Sequence, residues 1–230
     1  MRKNRMMRLA SVLLVCVLLT TSVISGTFAK YVTDGSSKDS ARVAKWGVTV
    51  SADYSDLFTR GYKYADTVST DAEGEASVWA GAEVDVVAPG TSGELADFTV
   101  TGTPEVAVAV SYVADLKLTN WEISTGEYCP LVFDVNGQYY FVGQTGIENI
   151  AALEAAVEAA IVASAAEYDP NADLSVVAND LAVSWSWAFE NGTAAEQTDG
   201  KDTEIGNWAS KGKAAPTVEL EVKCTIEQID

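Results

Sequence analysis

Between Val218 and Glu227 the chain alternates with period two. Val218, Leu220, Val222, Cys224 and Ile226 lie on one side, and Glu219, Glu221, Lys223 and Glu227 on the other. Successive side chains of a strand point to opposite faces, so this pattern specifies a long strand with one buried and one solvated face. Such a strand needs antiparallel neighbours. The same signal recurs upstream. Val106, Val108, Val110 and Tyr112 share one face, opposed by Ala107, Ala109 and Ser111. Leu181, Val183, Trp185, Trp187 and Phe189 share another. Phe98 and Val100 alternate with Thr99 and Thr101, after Val84, Val86 and the turn Ala88-Pro89-Gly90. Ala44, Trp46, Val48 and Val50 alternate in what reads as the first strand. Leu131–Val135 and Gln138–Val142 flank Asn136-Gly137, the pair that a two-residue type I′ hairpin requires.

One helix interrupts the strands. Thr145, with Glu148 three residues on, has the spacing of a capping box. Ile147, Ile150, Leu153, Val157 and Ile161 then form an apolar stripe, in an Ala-rich run expected to stay helical to about Glu167. Packing of that stripe on the chain's own sheet is the favoured reading. The expected fold class is mainly β: an antiparallel β-sandwich with one amphipathic helix inserted near 146–167.

The N-terminus reads as a secretory leader. Arg2, Lys3, Arg5 and Arg8 precede a mostly apolar run, Leu9 to Ser25, and then Thr27-Phe28-Ala29. Cleavage is expected between Ala29 and Lys30. The domain reading is therefore a signal peptide over 1–29 and a single β-sandwich over 30–230, with a flexible leader over 30–41. Taking the four leader charges from the 15 basic residues leaves 11 against 33 acids, a formal charge of −22. Such a surface repels nucleic-acid phosphates, so no nucleic-acid partner is expected. Export also permits a disulfide between Cys129 and Cys224. The alternative, buried free thiols, stays open because Cys224 lies on the apolar face of its strand.

The chain has no histidine. This excludes histidine zinc motifs, Ser-His-Asp triads and Cys-His dyads. Val87 to Gly93 lacks the Lys-Ser/Thr of a nucleotide loop. Asp169, Asn171 and Asp173 have calcium-loop spacing, but Leu174 stands where that loop needs glycine, so they read as a polar turn. No catalytic, cofactor-binding or metal-ligating residue is assigned, and no cofactor is expected. Of Trp79, Trp121, Trp185, Trp187 and Trp208, the pair Trp185 and Trp187 reads as core. Trp79 and Trp208 sit in loop-like contexts and are the candidates for exposure.

Several blocks resemble the TasA/camelysin family of secreted proteins of Gram-positive bacteria. Gly26 to Tyr31 is similar to the cleavage region of substrates of the SipW type of signal peptidase. Ser40 to Val48 is similar to the family's first mature strand. The Ala88-Pro89-Gly90-Thr91 turn with the strands that follow, Trp185 to Glu190, Asp202 to Gly206, and the final strand ending Glu227 to Asp230 complete the likeness. The resemblance implies a jelly-roll-like sandwich and, for TasA-like members, assembly into fibres of the extracellular biofilm matrix. Assembly would use donation of the N-terminal strand, residues 41–51, with Val43, Trp46 and Val48 as anchors. The partners so implied are further copies or a related matrix protein, and the SipW-type peptidase during export. Pairing of this strand within its own sheet is the competing arrangement. Camelysin members carry a metallopeptidase label. A chain without histidine departs from that chemistry, so the activity is not carried over. The alternative function is a monomeric cell-surface or extracellular module that binds glycan or protein through Trp79 and Trp208.

Overall fold

The computed structural model describes residues 10–16, 41–51, 57–63, 76–81, 83–177, 181–190, 192–194 and 197–229, the side chains of 96–98 excepted. The cleavage site at Ala29 and Lys30 and the leader over 30–40 lie outside the described residues. The chain divides into two compact units, Met1–Arg42 and Val43–Asp230. In the first, residues 10–16 are helical. No helix among the described residues is long and apolar enough to cross a membrane.

The second unit is mainly β, and its described strand pairings are all antiparallel. Twelve strands are described: β1 (Val48–Ser51), β2 (Gly61–Lys63), β3 (Ala76–Trp79), β4 (Thr91–Gly102), β5 (Val108–Thr119), β6 (Glu122–Ile123), β7 (Gly126–Glu127), β8 (Leu131–Val135), β9 (Gln138–Tyr140), β10 (Ala166–Tyr168), β11 (Leu181–Trp187) and β12 (Thr217–Gln228). Helices α1 (Ile150–Val162), α2 (Leu174–Val177) and α3 (Asp199–Gly206) lie between them. One sheet has five strands in the order β1-β4-β11-β8-β9, and another has three in the order β10-β5-β12. β2 with β3 and β6 with β7 form two-stranded pairs.

The alternation seen in the sequence places the core. In β11, Leu181, Val183, Trp185 and Trp187 are buried and the residues between them are more exposed. In β5 the buried set is Val108, Val110, Tyr112, Leu116 and Leu118. Both sheets feed one hydrophobic cluster, which also takes the α1 stripe Ile147, Ile150, Leu153, Val157 and Ile161. The hairpin forms at Asn136 and Gly137, whose φ angles of 52° and 83° are the positive pair its turn requires. At Pro89-Gly90 the chain turns with Gly90 at φ 80°, and Thr91 N–H donates to the Ala88 carbonyl at 3.1 Å.

Three elements differ from expectation. The helix starts after Asn149, whose side chain accepts from Ala152 N–H at 2.9 Å, not after Thr145. Gly146 takes φ 87° and Ile147 N–H bonds back to the Gln144 carbonyl, so the Thr145–Glu148 stretch is a tight turn. The helix ends at Val162 rather than Glu167, because Ala166–Tyr168 pairs with Val108–Val110 of β5. The first strand begins only at Val48. Gly47, at φ 54°, breaks the extended run from Ala44, and a Cβ on the facing Gly102 would sit 2.1 Å from the Gly47 carbonyl oxygen. Phe189 lies beyond the end of β11 and is exposed.

Candidate functional site

Two surface features stand out: the β1 edge and a tryptophan-lined cleft. β1 is the outermost strand of the five-stranded sheet, paired to β4 with Val48 opposite Gly102 and Ser51 opposite Thr99. The Ser51 and Thr99 hydroxyls are 2.6 Å apart. Upstream, the Lys45 and Glu105 backbones are tied: Glu105 N–H donates to the Lys45 carbonyl, and Lys45 N–H donates to a Glu105 carboxylate oxygen, both at 2.9 Å. Val43 is 91% exposed and Trp46 43%, while Val48 is half-buried. The strand thus pairs within its own chain, with two of the three anchors named from the sequence facing solvent.

The cleft encloses about 530 Å³. Its walls come from four places: Phe58, the segment Val84–Val87, the end of α3 with Trp208, and the start of β12. Val86 N–H bonds to the Thr59 carbonyl at 2.9 Å, which holds the second wall beside the first. Trp121 and Trp187 also line it, with ring centroids 5.7 Å apart and planes at 57°. Trp121 donates its indole N–H to the Thr217 carbonyl at 2.8 Å. Trp187 is 5% exposed, and among the described residues its indole N–H has no partner. A buried donor left in that state costs about 1–3 kcal/mol. Among the described residues the lining includes Asp85 and Glu219 but no lysine or arginine.

The structure sorts the tryptophans. Trp185 and Trp187 are core residues, as their shared face implies. Trp208 is 37% exposed and lines the cleft. Trp79 is half-buried, with the Arg60 guanidinium 4.7 Å over its ring, so one face is already occupied. No pattern in the sequence joins Trp121 to Trp187, because their neighbourhood depends on how β11 meets the turn after β5.

The block Asp202–Gly206 has a structural task. Buried Asp202 accepts from the Tyr128 hydroxyl and, at 2.7 Å, from the Gln197 amide, and so ties α3 to the segment before β8. Burial first, and then this bond, hold the Tyr128 phenol far above its usual range. Glu204 accepts from Ser124 N–H at 2.8 Å and pairs with Lys211 at 3.1 Å. These contacts hold its carboxyl below the usual range. The Asp169–Asp173 stretch is a turn, with Asn171 at φ 66° and Asp173 accepting from Ser175 N–H at 3.1 Å.

Cys129 and Cys224 are both free thiols, with Cys129 fully buried and Cys224 half-buried, so no disulfide joins them. Burial pushes the Cys129 thiol up to about 12. The thiolate is the reactive form. Cys129 is therefore expected to resist iodoacetamide at pH 9 in the folded protein and to react once urea unfolds it. Mass spectrometry of the alkylated peptides checks this; rapid native labelling of Cys129 would contradict its burial.

Set against protein-family models, curated proteins and solved structures, the chain matches none.

Proposed function

We propose that this protein is a secreted structural subunit of an extracellular matrix fibre, assembled by donation of its N-terminal strand between copies. In this reading the fold is a jelly-roll-like sandwich of the TasA/camelysin type. The leader directs export from a Gram-positive cell through a SipW-type peptidase, and no catalytic step is involved. The observation that carries the proposal is β1. It is a four-residue terminal strand, and the chain entering it presents Val43 and Trp46 to solvent.

The physics of exchange is simple. The ladder Val48–Gly102 to Ser51–Thr99 has the same main-chain hydrogen bonds whether β1 comes from its own chain or another. A donated strand makes a heterologous contact that does not close on itself, and such contacts generate filaments. Gly47, at φ 54°, supplies a backbone joint just ahead of the strand. The large negative charge opposes association, and salt screens it.

Engineered cysteines at a register pair test the exchange. With Ser51→Cys and Thr99→Cys in the full chain, donation gives a ladder of interchain disulfides on a non-reducing gel at raised salt, together with filaments in negative stain. A chain that cross-links only to itself and stays monomeric under the same conditions defeats the proposal.

A further inference from the structure

One wall of the cleft is a short segment, residues 207–211, that lies between Gly206 at the end of α3 and Gly212, at φ 66°. It carries the partly exposed Trp208. Its turn is self-contained: Lys211 N–H bonds to the Asn207 and Trp208 carbonyls, and Gly212 N–H to that of Ala209. The helix before it is anchored. Ile205 is buried in the core cluster, and Asp202 holds Tyr128 and Gln197. Between anchor and segment stands Glu204. Its carboxylate accepts from Ser124 N–H at 2.8 Å and from the Ser124 hydroxyl at 3.2 Å, and it pairs with Lys211 at 3.1 Å. A single carboxylate thus joins the β6–β7 turn, α3 and the Trp208 segment. None of these parts belongs to β1, so they stand apart from strand donation.

We propose that Glu204 and Lys211 form an acid-released latch, and that residues 207–211 are a flap that carries Trp208 away from the cleft when the latch opens. Protonation removes the negative charge of Glu204. The ion pair to Lys211 goes with it, and the two bonds from Ser124 lose their charge assistance. Lys211 then keeps only the Glu204 main-chain carbonyl, at 3.4 Å. Lys213, just past the flap, keeps the Glu122 carbonyl at 3.5 Å. A fixed helix and a glycine at each end supply the hinge. The other charged groups on the surrounding elements have separate tasks. Asp202 is held by Tyr128 and Gln197, and Lys201 lies over the Tyr128 ring at 5.7 Å. Glu127 accepts from Ile150 N–H at 3.3 Å, and Asp199 stands in the first turn of α3, where negative charge suits the helix dipole. The direction with pH follows from Glu204. Ser124 N–H first, then Lys211 and the Ser124 hydroxyl, hold its carboxyl below the usual range. A carboxyl lowered in the folded state contributes at neutral pH, and its contribution is lost as pH falls through the lowered value. The flap therefore opens below about pH 4.3, the ordinary glutamate value.

The full chain is labelled with fluorotryptophan, and Trp208→Phe assigns the Trp208 resonance in the fluorine NMR spectrum. Acidification from about pH 7 to about pH 3 is expected to shift that resonance, with a midpoint below about pH 4.3 and the far-UV circular dichroism unchanged. Glu204→Gln is the neutral isostere of the protonated acid. It is expected to show at neutral pH the Trp208 resonance that the unaltered chain reaches only in acid, and to keep it on acidification. Ser124→Ala removes one donor to the carboxylate and is expected to raise the midpoint. A Trp208 resonance that stays in place throughout overturns the proposal. So does one that moves equally in Glu204→Gln, or that moves only as the circular dichroism of the fold is lost.

Discussion

Trp185→Ala is expected to cost about 3–5 kcal/mol of unfolding free energy, the range for losing a large buried aromatic. Trp185 is 1% exposed and sits on β11, between Gly93 of β4 and Phe133 of β8. Its ring packs against Phe58 at 5.5 Å and meets Tyr62 edge-on at 6.3 Å. Its indole N–H donates to the Leu57 carbonyl. One side chain thus holds the segment that carries Leu57, Phe58 and β2 onto the five-stranded sheet. Alanine removes the packing and the bond together. Trp185→Phe keeps most of the packing and leaves the Leu57 carbonyl without its donor, so about 1–2 kcal/mol is expected for it. Urea unfolding of the three proteins separates the two contributions. Domains of this kind have about 5–15 kcal/mol in hand, so the alanine variant should melt much earlier. A loss below about 1 kcal/mol in the alanine variant would show that the Leu57–Tyr62 segment is held by other contacts.

The second large effect is expected at a sheet edge. β5 is paired along one side by β12 over its whole length, from Val108 to Thr119. On its other side β10 pairs only with Val108 to Val110. Helix α1 covers the rest. Glu158 accepts from Leu116 N–H at 2.9 Å and Glu154 from Leu118 N–H at 2.6 Å. The geometry explains why glutamates four apart can do this. Four helical residues rise about 6 Å, and two strand residues span about 6.7 Å, the repeat of N–H groups along one edge. Two carboxylates on successive turns therefore meet successive edge donors, and the helix stands in for a missing strand. Replacing both glutamates by alanine strands two partly buried N–H groups, with an expected loss of about 3 kcal/mol. It also leaves an uncovered edge, the usual template for unwanted pairing. Thermal unfolding and light scattering should show lower stability with concentration-dependent aggregation. The double glutamine variant retains a carbonyl acceptor on each side chain and should recover most of the loss. Equal behaviour of the alanine and glutamine pairs would mean that the two bonds contribute little.

The contrast between the two edges bears on assembly. The interior edge of β5 is closed by helix glutamates, whereas β1 ends its sheet with Val50, and the chain just ahead of it with Trp46, facing solvent. Strand donation requires β1 to leave its place beside β4 for the same place in another copy, and the cysteine pair at Ser51 and Thr99 examines that exchange directly.

Much of the strand content was legible because period-two patterning is a local property. Leu181, Val183, Trp185 and Trp187 announce one buried face wherever that face later packs. Asn136-Gly137 dictates its turn within two residues, and the spacing of Ile150, Leu153, Val157 and Ile161 dictates the helix face. Helix limits were less legible. Thr145 has cap chemistry, but Asn149 is the residue that caps, and the chain after Val162 leaves the helix to pair Ala166–Tyr168 with Val108–Val110, far upstream in the chain. No local pattern encodes a partner at that distance.

By itself, then, the sequence determined the long strands with their buried faces, the apolar stripe of one helix, the acidic composition and the lack of histidine, but not the short strands β2, β3, β6, β7 and β10 or the helices α2 and α3. What it determined follows from side-chain type and short-range spacing. Tertiary structure alone decided that β4 and β8 meet across β11, that Glu154 and Glu158 close an edge rather than face water, and that Trp121, Trp187 and Trp208 line a single cleft. These depend on which surfaces bury one another. That is settled by the summed burial of the whole chain, which no window of neighbouring residues contains.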